Sequence, residues 1–478
     1  MTFDQRLVIS RRLENAAFYL LLLVVALAPL PFGSNGPEST WILSGASGAV
    51  LLLVALAGVL DPARYPSFGA PLLVAALACF AAVGVWALVQ MMPGLPAPLP
   101  HPLWAERARI LGIEAGGTIS IDPDLTLAAL AKSAGYFAIG AATLFLLRDA
   151  SRRRTACTVL AMAGGVYAAY GLVTWAAGDC CVVWQKKTAY LGVVTGPFIN
   201  RNSFATYLGL VALVPFGLLL RGLGELRRVA AASVFRRLAT RLQLLLVDHW
   251  AMIVVLLLLV DALLCTLSRA GITSAILGAA TLVLLASQAG VFGSKRRRVL
   301  HLAAFAGIVT LTLAIFGGAL LGRIADEGVE DVDRTQSWKI IVSGIEASPW
   351  LGHGFGTFPE AFPLYRDDRL ASRRYWDKAQ DTYLELALDL GVPATAVLLG
   401  GFAALLAQCA KGLSRRRRER RIFPAIGIAA TVLIAAHSVY DFSMQIPAVA
   451  TTFAFIIAIA LAESGLWRGR GADQSSAT

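Results

Sequence analysis

About twelve apolar runs, each long enough to cross a lipid bilayer, divide this chain into alternating membrane-compatible and polar stretches. That rhythm restricts the fold more than any other feature, because in lipid only helices and closed barrels satisfy their own backbone groups. A spanning helix needs about 20 apolar residues. The runs fall at about 16–32, 41–60, 69–92, 126–147, 155–177, 203–220, 250–268, 272–292, 300–322, 382–410, 423–440 and 447–466. Soluble domains are about 25% charged. Here 15% of residues are charged, 57% are hydrophobic and the mean hydropathy is +0.68. The chain reads as an all-α polytopic membrane protein, not a soluble enzyme with an anchor.

The basic residues set the orientation. Arg6, Arg11 and Arg12 precede the first run, Arg148 and Arg152 to Arg154 follow the fourth, and Arg221, Arg227, Arg228, Arg236, Arg237 and Arg241 follow the sixth. Lys295 to Arg298 follow the eighth, Lys411 and Arg415 to Arg418 the tenth, and Arg468 and Arg470 come after the last. With twelve spans every cluster falls on one side, which the positive-inside rule makes cytoplasmic. Both termini are expected there. This sorting accounts for the net charge of +12 and removes the nucleic-acid reading that such a charge suggests in a soluble protein. The segment 221–249 reads as an interfacial helix on anionic lipid or as a plain connector. The first run lacks a small-residue cleavage site after it and reads as a retained span.

The opposite, outer face receives the loops 93–125, 178–202 and 323–381 and a short turn at 441–446. The first loop is rich in Pro and Gly, with His101, Trp104 and an amphipathic turn. Of six cysteines, Cys79, Cys157, Cys265 and Cys409 fall in apolar runs, while Cys180 and Cys181 are adjacent in the second loop. No metal spacing or disulfide framework is visible.

The third loop holds most of the polar residues. Its acids Asp326, Glu327, Glu330, Asp331 and Asp333 precede Arg334, and Trp338, Ile341, Val342 and Ile345 follow at helical spacing up to Pro349. Arg334 either pairs with those acids or turns toward a lipid headgroup. Arg269, at the outer end of the seventh run, is either a snorkelling helix-end cation or a rigid fork for a diphosphate. Asp377, Asp381 and Glu385 are spaced by four at the start of the tenth run, so a helix there places them on one face. Such a row raises the pKa of one member and makes it a proton acceptor, unless Arg366, Arg369, Arg373 or Arg374 pair with it. Gly352, Gly354 and Gly356 form a tight turn that lets backbone approach a ligand or another helix, and His353 within it is a base or a solvated histidine. Asp261 and Asp441 lie in or beside apolar runs, where a carboxylate is costly and functional by default; Lys132 is the expected partner of one of them.

With these residues in place, the chain resembles the superfamily of O-antigen ligases and Wzy-type polymerases over about residues 190–450. Gly196-Pro-Phe-Ile-Asn200-Arg-Asn202-Ser-Phe-Ala205-Thr-Tyr-Leu208 is similar to the family's G-x-F-x-N-x-N-x-x-A-x-x-L entry into a span. Leu267-Ser-Arg269-Ala-Gly271 resembles T-x-S-R-G/A. Arg334 with Trp338, then Pro349-Trp-Leu-Gly352-His-Gly354-Phe-Gly356, resembles R-x-x-x-W and P-x-x-G-x-G-x-G. Ala379-Gln380-Asp381-Thr-Tyr383-Leu-Glu385 through Gly391 resembles A-H-N-x-Y-L-x…G.

The resemblance implies an inner-membrane glycosyltransferase with a GT-C-like helical bundle and one large periplasmic loop. It would work without metal or other cofactor, moving a glycan from undecaprenyl diphosphate to an acceptor hydroxyl. The arginines matching Arg269 and Arg334 engage the diphosphate. Gln380 stands where ligases carry histidine; an amide orients an acceptor but takes no proton, so Asp381 or His353 would serve as base. Polymerases of the superfamily do not depend on that histidine, which makes polymerisation of lipid-linked repeats into exopolysaccharide or O-antigen the first expectation. Ligation to lipid A core or a protein is the second, and a flippase of lipid-linked sugar the third. Catalytic candidates are Arg269, Arg334, Gln380 and Asp381. Substrate contacts are expected from Asn200, Asn202, Trp338, His353, Tyr383 and Asp441. The expected division is 1–189 for the N-terminal helices, 190–450 for the ligase-like core and 451–478 for the last helix and tail. Expected partners are the lipid-linked glycan, membrane lipid, an acceptor glycan or lipid A core and a chain-length regulator protein, with no nucleic acid.

Overall fold

The computed structural model describes residues 2–65, 69–113, 116–225, 234–288, 307, 328–368, 370, 375–415 and 420–466, with backbone alone over 224–225, 234–248, 328–333 and 415. Among these residues the protein is helical apart from one small hairpin, β1 (Cys181–Val182) paired antiparallel with β2 (Gln185–Lys186). Fifteen α-helices are described, and seven are long and apolar enough to cross a membrane. Three shorter apolar stretches, His249–Cys265, Ile422–His437 and Pro447–Ala462, add to these. Apart from residue 307, the ninth expected span, 300–322, lies outside the described residues, as do the acids Asp326 and Glu327, the cations Arg369, Arg373 and Arg374 and the polar tail.

The first half comprises α1 (Phe3–Leu27), α2 (Pro37–Leu60), α3 (Pro71–Gln90), the short surface helix α4 (Pro102–Leu111), α5 (Pro123–Leu146) and α6 (Ala150–Ala176). A capping box between Thr2 and Gln5 starts α1 thirteen residues ahead of the expected apolar run, a polar extension that hydropathy alone does not mark. Then come α7 (Arg201–Glu225), α8 (Val234–Cys265) and α9 (Arg269–Gln288). The stretch from 234 to 249, expected as a separate surface helix or connector, is the continuous first half of α8.

The second half holds α10 (Gly328–Ala347), α11 (Phe358–Tyr365), α12 (Thr382–Leu390), α13 (Val392–Arg415), α14 (Ile422–His437) and α15 (Pro447–Ala462). The single tenth helix expected over 382–410 is therefore two helices. Gly391 breaks it at φ +81°, and Pro393 in the next residues belongs to a helix's first turn, not its interior.

α7 and α15 form the centre. α7 is the most enclosed of the spans, and α15 is buried at every position except Ala454. Phe198, Phe204 and Tyr207 pack ring on ring at the start of α7, with centroids 5.5 Å apart for Phe198–Phe204 and Phe198–Tyr207.

The two ends of the bundle differ in charge. At one end buried Glu14 receives Arg152 at 2.9 Å and Arg64 at 3.2 Å, and buried Arg153 meets Glu463 at 2.6 Å. Burying these ions is tolerable because each carboxylate is paired and hydrogen-bonded. The other end carries α4, the hairpin, α10 to α12 and the turn before α15.

Candidate functional site

The polar end is organised by Asp441, a fully buried carboxylate in the turn between α14 and α15. The Asn202 side-chain amide donates to its Oδ2 at 2.9 Å, and Ser443 donates to its Oδ1. His437 Nδ1 lies 4.0 Å from that same Oδ1. Asn202 is also an acceptor: Ser268 Oγ donates to its Oδ1 at 2.8 Å. Thr382 Oγ1 donates to the Asp441 carbonyl at 2.9 Å, and Thr382 N–H donates to Ser438 O at 2.9 Å.

Asn202, Ser268 and Thr382 each stand at the start of a helix. Asn200 Oδ1 caps α7 by accepting from Asn202 N–H at 2.7 Å and Ser203 N–H at 3.3 Å. Ser268 Oγ accepts from Gly271 N–H at 3.2 Å at the start of α9, with Arg269 as its first residue. Asp381 Oδ1 caps α12 through Tyr383 N–H at 2.8 Å and Leu384 N–H at 3.0 Å. Asn, Ser and Asp are favoured caps because their side chains satisfy the first orphan N–H groups. The positive ends of α7, α9 and α12 thus gather around one turn, an arrangement that favours an anion.

Cations and aromatic rings lie around the same turn. Arg269 directly follows Ser268. Arg334 on α10 acts electrostatically on His437, and the Trp338 ring lies 6.3 Å from Tyr440. Arg201 sits over the Tyr190 ring at 5.7 Å, and the Tyr190 hydroxyl accepts from Asn200 Nδ2 at 3.3 Å. Tyr383 OH donates to Ala435 O at 2.9 Å, tying α12 to α14. Gln380 adopts φ +57°, a left-handed conformation uncommon for a residue with a side chain and often found at functional sites.

The expected row of carboxylates is different in three dimensions. Asp377 is exposed and precedes the helix, and Asp381 is its cap, so neither shares a helical face with Glu385. The buried pair is Glu385 and Asp389, one turn apart on α12. Glu385 Oε2 accepts from Ala379 N–H at 2.8 Å, and Asp389 Oδ2 accepts from Gly356 N–H at 2.7 Å. Burial pushes both carboxyls up. Burial also raises Asp381, against the two amides it accepts from. Lys132 does not pair with Asp261 or Asp441. It donates to Gln445 O at 3.5 Å and interacts with Glu385 and Asp389, while Asp261 lies on an exposed face of α8.

His353 stands at the far end of α12, where its N–H donates to Leu388 O at 3.0 Å. From Asp381 to Leu388 is about 10 Å at 1.5 Å per residue. The side chain is buried, with Nδ1 3.0 Å from His101 Nε2 and Nε2 3.0 Å from Gly344 O. Burial lowers both imidazoles, and with His353 beside it His101 falls to about 4. The surrounding glycine turn packs against protein backbone. Gln90 donates to Leu351 O at 2.8 Å and Asp389 O at 3.0 Å and accepts from Phe355 N–H at 3.1 Å. A Cβ at Gly354, where φ is +115°, would stand 2.7 Å from Ser120 Cβ.

The structure thus brings together Asn200, Asn202, Arg269, Arg334, Trp338, Asp381, Tyr383 and Asp441, and Gln380 through its neighbour Asp381; His353 lies apart. Three members are not among the expected site residues, although Arg201 and Ser268 fall inside the quoted motifs. His437 was signalled by its spacing of four from Asp441. Arg201 was signalled by a cation inside the entry to an apolar run, and Ser268 by its place just before a helix. Among the described residues no three His, Cys, Asp or Glu side chains converge to hold a metal ion.

Residues 254–399 match the family described as O-antigen ligase, a stretch that contains Ser268, Arg269, Arg334, Gln380 and Asp381. No curated protein matches the chain.

Proposed function

We propose that this chain, whose residues 254–399 match the O-antigen ligase family, polymerises undecaprenyl-diphosphate-linked repeat units at the outer face of the inner membrane. The observation that carries the reading is the Asp441 network, which draws three helix N-termini together beside Arg201, Arg269 and Arg334. Fixed cations and N–H groups stabilise a leaving diphosphate without reorganising during the reaction.

In this reading the acceptor hydroxyl attacks the anomeric carbon of the donor glycan. The bond from that carbon to the phosphate oxygen breaks, and its electron pair leaves on undecaprenyl diphosphate. Arg269 and Arg334 hold the departing charge, and Gln380 orients the acceptor. Asp381 takes the proton: its Oδ1 is engaged at the helix cap while Oδ2 meets no donor among the described residues, and a carboxyl raised by burial is a better general base near neutral pH. Trp338 and Tyr440 offer a surface for sugar rings, and Asn202 and Asp441 position the arginines.

Polymerase is preferred over ligase because Gln380 cannot accept a proton and His353 is engaged with His101 and Gly344 elsewhere. The ligase reading, transfer to lipid A core or a protein, is favoured by the description of the matching family. Purified protein reconstituted with undecaprenyl-diphosphate-linked repeats, with and without lipid A core, separates them. A ladder of lengthening lipid-linked glycans without core supports the polymerase, and product formed only when core is supplied refutes it. Arg269→Ala and Arg334→Ala should each lower kcat by about 10²–10³-fold if they hold the leaving group.

A further inference from the structure

The pair Cys180 and Cys181 takes no part in this chemistry, yet the fold around it is highly constrained. Neighbouring side chains in extended chain project to opposite sides. Here the two Sγ atoms turn to the same side and lie 2.7 Å apart. The conformation is set by the surrounding turn. Gly178 and Asp179 both take positive φ, at +87° and +59°, between the end of α6 and the hairpin. Asp179 accepts from Lys187 Nζ at 2.6 Å and from Gly192 N–H. Lys187 also donates to Val193 O at 2.6 Å, and Val183 N–H donates to Tyr170 OH at 2.7 Å. Cys180 is exposed and Cys181 partly so, while the other four cysteines lie within helices α3, α6, α8 and α13.

We propose that Cys180 and Cys181 form a redox modification site that closes into a vicinal disulfide. The Cys180 thiolate, the more exposed, attacks a sulfur of an external disulfide and releases one thiolate. The Cys181 thiolate then attacks Cys180 Sγ and releases the second. Two thiols are oxidised, one external disulfide is reduced, and two protons are lost. The closed ring fixes the hairpin that leads to Tyr190, and hence the support beneath Arg201 at the rim of the Asp441 cluster.

The test uses the full-length protein in detergent, reduced, freed of reductant, treated with oxidised glutathione and quenched with N-ethylmaleimide. Mass spectrometry then reads the chymotryptic peptide from Ala176 to Trp184. The expected peptide is lighter by two hydrogens and carries neither glutathione nor maleimide. Cys181→Ser should instead retain glutathione on Cys180, because the resolving thiol is gone. Wild-type protein that ends with glutathione on Cys180, or with both thiols labelled by maleimide, overturns the proposal. Quenching in intact cells reads a separate matter. A ring already closed there fits a hairpin facing an oxidising compartment. Thiols free in cells that still close in detergent would overturn that orientation and leave the ring standing.

Discussion

Asn202 is the residue whose replacement most directly tests the account of the site. Asn202→Ala removes a donor 2.9 Å from the buried Asp441 carboxylate and an acceptor 2.8 Å from Ser268 Oγ. A bond to a charged group contributes about 1.5–3 kcal/mol and a neutral one about 1 kcal/mol. The expected loss is thus about 3 kcal/mol, with Asp441 left to the Ser443 hydroxyl. Asn202→Asp sets a second carboxylate against Asp441 and removes the amide donor, so it should cost at least as much as the alanine. Unfolding in mixed detergent micelles measures both losses. A double-mutant cycle of Asn202→Ala with Ser268→Ala should give a coupling of about 1 kcal/mol. Losses within about 0.5 kcal/mol of wild type and coupling near zero would refute the network as the organiser of the site.

Three further outcomes follow from the geometry. Gly354→Ala should cost about 3 kcal/mol or more, since its methyl meets Ser120 at a positive φ; a melting temperature within a degree of wild type would count against the tight docking. The histidine chain runs from Leu103 N–H to His101 Nδ1, from His101 Nε2–H to His353 Nδ1, and from His353 Nε2–H to Gly344 O, and it is complete only with both rings neutral. Folded pKa values below the usual 6.5 mean stability that is present above that pH and lost as it falls toward about 4, so His101→Gln should flatten the profile of thermal stability in that window. Glu385→Ala should reduce kcat by about 10- to 100-fold by releasing the Ala379 amide that holds Gln380, with Glu385→Gln recovering much of the rate; equal losses in both variants would contradict a positioning role.

Much of this molecule is visible in its sequence because membrane helices and charge sorting are local signals. The apolar runs locate most of the helices, and at the basic end Arg64, Arg148, Arg152 and Arg153 gather around Glu14 and Glu463. The break at Gly391 was signalled by Gly391-Val392-Pro393, but an uninterrupted apolar count outweighed it. Asp381 was read as a helix-face residue although an Asp just before an apolar periodic run is a cap signal. Other features leave no local trace. Nothing in the neighbourhood of Asn202 indicates that its amide meets Asp441, 239 positions away. The glycine turn suggested close approach, but only the fold shows that the approaching partners are Gln90 and Ser120.

That last docking bears on how the protein is made. Trp86 Nε1 donates to Leu390 O across 304 positions, and Gln90 reaches Asp389 O across 299. During synthesis, therefore, α3 must wait in the bilayer with these donors uncommitted until residues 389 and 390 have been inserted. The region shared with the family, 254–399, closes against an edge supplied by a much earlier helix. Chimeras that exchange that region alone between relatives should insert but assemble poorly. Carrying the matching α3 and the 93–125 loop along with it should restore assembly.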